Sequence, residues 1–176
     1  PGPGEDGKRP RIRGWQERAT TEPRQIESWW EEWPEANVGV ALEDTQYVLD
    51  ADGREQAQWV WSHLPPTLEV GTGRGYHFYF RLPAGVRLRN RTTLWGVPGL
   101  EGKTLGKLVA APGSIHKTGS LYWTRSDVLP VELPCWSWEH LGDRDESVHV
   151  AGDSPTNQAP RGGKVAVVGA SARVGP

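Results

Sequence analysis

The sequence predicts a mixed α/β fold of the α+β kind, a largely antiparallel sheet with flanking helices. Two stretches place apolar residues at helical spacing. Several short runs of β-branched and aromatic residues sit between segments rich in Gly, Pro and Asn, and the later runs follow one another through such turns, which favours antiparallel pairing. A chain of 176 residues fits one domain with a tail.

Residues 1–14 are rich in Gly, Pro, Lys and Arg without a period and read as a loop. Thr21 is the expected N-cap of a first helix, and Pro23 suits its opening turn. Ile26, Trp29, Trp30 and Trp33 then recur on one face until Pro34 ends the helix. Strands are expected over Val38 to Leu42 and Gln46 to Ala51, followed by a helix from Arg54 to Leu64 that Pro65 and Pro66 terminate. Further strands fit Leu68 to Gly71, Tyr76 to Arg81, Lys107 to Ala111 and Leu121 to Thr124. Beyond Gly142 apolar residues thin out, and only Lys164 to Gly169 offers a brief apolar run. Residues 1–141 are therefore expected to form the folded domain, and 142–176 a linker or flexible tail.

Composition narrows the function classes. No run approaches the roughly 20 apolar residues that span a bilayer, and no secretion signal opens the chain, so a cytoplasmic protein with no membrane partner is expected. Net charge of −2 gives no global attraction to a polyanion, so any grip on nucleic acid must come from local Lys and Arg clusters. The ten tryptophans are expected to serve mainly as core residues, although aromatic rings can also stack on unpaired bases. The single cysteine, Cys135, cannot form an internal disulfide and is expected to be buried and inert.

Three segments carry chemistry. In the strand Gln46 to Ala51 alternation sends Tyr47, Leu49 and Ala51 to one face and Val48, Asp50 and Asp52 to the other, so both carboxylates leave the sheet together. Two like charges so placed suit a shared cation with hard oxygen ligands, Mg²⁺ or Mn²⁺. A turn capping the next helix explains the same Asp-x-Asp-Gly run. An EF-hand loop is disfavoured because Arg54 falls where the next ligand should be. Secondly, Gly71, Gly73 and Gly75 surround Arg74 ahead of the strand Tyr76 to Arg81, on which His77, Tyr79 and Arg81 share a face. Such a turn can receive phosphate oxygens on its N–H groups, or can be a plain hairpin with a histidine satisfied in the sheet. Thirdly, Glu101 and Lys103 precede Lys107, Ser114 and His116. Glu101 could complete a metal site and the others could donate to a triphosphate, unless the segment is a solvated charged loop.

In order and spacing these segments resemble the bifunctional DNA primase/polymerase domain of the archaeo-eukaryotic primase superfamily, found in many phage and plasmid replication proteins. The resemblance rests on Gly7-Lys8-Arg9-Pro10, Trp15, Ala19-Thr20-Thr21-Glu22-Pro23, Pro34 to Val40, Val48-Leu49-Asp50-Ala51-Asp52-Gly53, Thr72 to Arg81 and Ala111-Pro112-Gly113-Ser114-Ile115-His116, and spans residues 6 to 140. It implies a primase-like catalytic module lacking its first helix and strand, with template-directed nucleotidyl transfer by a two-metal mechanism. Asp50, Asp52 and Glu101 would hold two Mg²⁺ or Mn²⁺ ions and serve as the catalytic acids. Arg74, His77, Lys103, Ser114 and His116 would bind the incoming nucleotide. The third acid is usually Asp, and Glu101 adds a methylene. The implied partners are a single-stranded DNA template, ribo- or deoxynucleoside triphosphates and a replicative helicase domain or protein. Two rival readings remain: a non-catalytic nucleotide or single-stranded-DNA binding module of the same fold, and a metal-dependent nuclease or phosphohydrolase.

Overall fold

The computed structural model describes residues 9–126, 128–139 and 164–168. The first eight residues of the expected loop over 1–14 and the expected linker, apart from 164–168, lie outside the described residues. The elements in order are α1 (Trp15–Arg18), α2 (Pro23–Glu32), β1 (Asn37–Ala41), β2 (Gln46–Ala51), α3 (Arg54–His63), β3 (Leu68–Gly71), β4 (Tyr76–Arg81), β5 (Leu100–Lys103), β6 (Leu108–Ala110), β7 (Trp123–Thr124), β8 (Val131–Glu132), α4 (Cys135–Glu139) and β9 (Lys164–Val168). The fold is mixed α+β with a largely antiparallel sheet, as the alternation of patterns predicts.

Strands β5, β2, β4, β3 and β7 line up in that order in the larger sheet, and β8 adds to β4 in parallel. The runs of β2 and β4 are apolar on both faces because both faces are covered. On one side α3 contributes Ala57 and Val60, and its C-cap Leu64, to a core with Tyr47, Leu49, Phe78 and Phe80. Fully burying a side chain such as Leu49 or Phe78 stabilises by about 1.5–3 kcal/mol. On the other side Val48 packs with Leu42 and Val109, and Val70 with Ala110 and Tyr122. Those partners belong to β6, to the chain leaving β1, and to the segment before β7. A second sheet, ordered β6-β1-β9 with antiparallel pairs, supplies this cover.

Several local expectations need correction. The N-cap of α2 is Glu22, not Thr21, and Thr20 accepts the Glu22 N–H through its hydroxyl at 3.0 Å. Glu101 and Lys103 lie on a strand, not a solvated loop, since β5 pairs with β2. Lys164–Val168 pairs with β1 along its whole length. Cys135 is exposed, not buried, because it opens the short α4, whose inward position is taken by Ser137. Most tryptophans do pack: Trp59, Trp61, Trp95 and Trp138 against the main core, Trp30 and Trp33 around Trp29, while Trp123 and Trp136 are exposed.

Candidate functional site

The register of the larger sheet sets a polar row across three strands. Asp50 of β2 stands opposite Glu101 of β5 on one side and His77 of β4 on the other. Directly opposed residues in an antiparallel pair point to the same face, so the three side chains project together. The flanking row of Gly102, Leu49 and Phe78 points the other way, into the α3 core. One pair further along, Lys103, Val48 and Tyr79 share the polar face, which places Lys103 diagonal to Asp50. Lys103 is long enough to reach across.

It does so. The Lys103 ammonium is in direct contact with Asp50 Oδ2 and lies 3.3 Å from Glu101 Oε2. His77 Nε2 approaches Asp50 Oδ1 at 3.4 Å. Lys103 is only 22% exposed and Asp50 only 16%. Burial pulls the Lys103 pKa down, but the charge and hydrogen bond of Asp50, then those of Glu101, outweigh it and hold the pKa above the ordinary lysine value. Two carboxylates against one ammonium leave the cluster with net negative charge. Asp50, His77 and Lys103 line a small cleft of about 60 Å³, open to solvent and lined also by Leu108, Val109 and Ala110 of β6 and by Tyr122. Tyr79, on the same face as Lys103, packs beside Val48 and Tyr122, and its phenol pKa is pushed up by burial, then by Asp50 and by Tyr122.

Asp52 lies one residue past the end of β2, exposed, with its N–H donated to the Gly99 carbonyl at 2.9 Å. Among the described residues no three carboxylate, imidazole or thiolate side chains gather closely enough to hold an ion. The Lys103 ammonium lies against both Asp50 and Glu101, whose carboxylates form a pair of hard oxygen donors.

The Gly-rich turn abuts this row through close backbone packing. A Cβ on Gly75 would fall 1.8 Å from the Ala51 carbonyl oxygen, so only glycine lets the turn cross the end of β2. The Gly75 N–H donates to the Thr72 hydroxyl at 3.0 Å, and the Arg74 side chain is exposed at the tip. His116 packs its ring on Gly73, and its Nδ1 bonds the Thr118 hydroxyl at 2.8 Å. Ser114 is buried, its hydroxyl accepting from the Val38 N–H and donating to the Val38 carbonyl, each at 3.1 Å. The structure thus joins Asp50, Glu101, Lys103 and His77 in one cluster. It sets His116 against the Gly-rich turn and Ser114 against β1.

Two contributors escaped the sequence reading. Asn37 clamps the loop after β6, donating to the Ile115 carbonyl at 2.8 Å and accepting the Ile115 N–H at 2.9 Å. Tyr122 lines the cleft, with its ring centroid 6.0 Å from that of His77 and 6.2 Å from that of His116. A polar residue opening an otherwise apolar strand could have flagged Asn37. No local pattern flags Tyr122.

The family model described as bifunctional DNA primase/polymerase, N-terminal, matches residues 2–136. No curated protein and no solved structure matches the chain.

Proposed function

Since the chain belongs to the bifunctional DNA primase/polymerase N-terminal family, we propose that it catalyses template-directed nucleotidyl transfer at the cleft lined by Asp50, His77 and Lys103. The observation that carries this reading is the Glu101–Asp50–His77 row, in which two acids share a cation beside an imidazole.

Asp50 and Glu101, joined by Asp52 from the strand end, would hold the divalent ions. When bound, such ions supply Lewis-acid activation of a 3′-hydroxyl and charge neutralisation at the leaving pyrophosphate. The chain's own residues do the rest. His77 and Lys103 present donors to the triphosphate at the side of the row, and Arg74 reaches it from the turn. Fixed donors in a partly dehydrated cleft act more strongly than the same groups in water. Apolar β6 and Tyr122 limit the water that enters. The template is a single DNA strand, and the setting is phage, plasmid or bacterial replication beside a helicase.

The test is extension on a single-stranded template with labelled nucleotides and Mg²⁺ or Mn²⁺, with and without a primer. Product that disappears in the Asp50→Ala, Asp52→Ala double variant supports the reading. Nucleotide binding without incorporation would assign a non-catalytic module instead, and nucleotide release from labelled DNA would assign a nuclease.

A further inference from the structure

The Lys103 ammonium sits against the two carboxylates proposed to hold a divalent ion. It touches Asp50 Oδ2, lies 3.3 Å from Glu101 Oε2, and is itself largely enclosed by the cleft. Without it, two carboxylates set opposite each other on neighbouring strands would repel across a partly buried face. With it, the pair is neutralised in part and each acid has a bonding partner. One ammonium and one divalent ion cannot both occupy the space between the same two oxygens, since cations a few ångströms apart repel.

We propose that Lys103 is an internal counter-cation, which keeps the acid pair assembled in the unloaded protein and must leave it when a divalent ion enters. This inference rests on the polymerase reading and deepens it. Its consequence is coupled loading. A bare ion must displace the ammonium and strand it in the cleft. An ion arriving with a nucleoside triphosphate brings phosphate oxygens to which the displaced ammonium can move, on the same face and within the reach of one flexible side chain. Divalent-ion affinity is therefore low for the protein alone and rises when a triphosphate is present.

The experiment uses the whole chain and measures ion binding, not turnover. Free Mn²⁺ is followed by electron paramagnetic resonance for the wild type and for Lys103→Met, with Asp50→Asn as the control that removes one ligand and circular dichroism to establish folding. The Met variant is expected to bind Mn²⁺ at least about tenfold more tightly than wild type, a modest share of the repulsion that a unit charge exerts a few ångströms away near a protein surface. In wild type, acetylation of Lys103 by acetic anhydride, read by mass spectrometry, is expected to accelerate when Mg²⁺ is added. This second readout decides alone if the Met variant does not fold.

Equal or weaker Mn²⁺ binding by a folded Lys103→Met variant overturns the inference. So does ion binding by wild type with unchanged Lys103 acetylation. Either result leaves the polymerase reading to be judged by template extension. Absence of Mn²⁺ binding by both proteins, with and without triphosphate, overturns the inference and the polymerase reading together.

Discussion

His116 lies so close over Gly73 that a Cβ at position 73 would come within 2.5 Å of its Nδ1. Two segments far apart in the chain, the Gly-rich turn and the loop after β6, are thereby locked face to face. Gly73→Ala should push the ring aside and cost about 1–3 kcal/mol, in the range of overpacking changes. Gly75→Ala should cost more, because its obstacle is the backbone of Ala51, which cannot rotate away. Thermal denaturation of the two variants checks the order, and equal stabilities would contradict it.

Asp50→Asn should reduce template-directed incorporation by about 100-fold or more, the scale seen when one fixed charge-stabilising group is removed from a site. Glu101→Gln should also reduce it. Primer-extension rates, compared after circular dichroism has shown both variants folded, measure the effect.

Ser114→Ala should act on stability. Its hydroxyl is buried and bonded both ways to the Val38 backbone, so its loss takes the partner of the Val38 N–H, at about 1–3 kcal/mol, while the Val38 carbonyl keeps the Ala111 N–H. A lower melting temperature is expected, with little change in KM for the nucleotide. A raised KM at unchanged stability would place that hydroxyl on the substrate.

Alkaline pH should unfold the protein through its buried phenols. Tyr47 and Tyr79 both have pKa values raised above the ordinary 10.0, chiefly by burial, with Arg91 easing the shift at Tyr47 and Asp50 adding to it at Tyr79. A phenol held neutral by the fold contributes stability that is fully present below the unfolded value. That contribution is lost as pH rises from there toward the folded value. Stability should therefore begin to fall near pH 10, and Tyr79→Phe should move the alkaline unfolding midpoint upward. Fluorescence-detected unfolding across pH 8–12 reads both, in the range set by the ordinary phenol value of about 10.

Strands whose residues bury on both faces were legible from the sequence. The bounds of β2, β3 and β4 match the expected runs, and the faces assigned to Asp50 and His77 hold, because period-2 alternation fixes facing without any knowledge of partners. What depends on pairing was not legible. Leu100–Lys103 holds one apolar residue and a glycine among four and has no strand character of its own. It becomes β5 only by hydrogen bonding to β2. Lys107 to Ala111 is expected as a strand and contains β6, yet nothing local tells that it joins β1 in a second sheet covering the polar row. For the same reason nothing local tells that His77, on the face shared with Asp50, is buried. The contact of Lys103 with both acids follows from the β2–β5 register, which the spacing of residues 50, 101 and 103 does not encode.

Asp50 and Glu101 belong to neighbouring strands, so the gap between their backbones is fixed by the ladder spacing of about 4.8 Å and not by any loop. Such a spacing cannot drift by small amounts; it can only jump. Sliding β5 by one residue would swing Glu101 to the α3 side and bring Leu100 or Gly102 opposite Asp50, erasing the acid pair in a single step. Misfolded molecules of this protein would consequently be blank at the cleft, not merely weakened there.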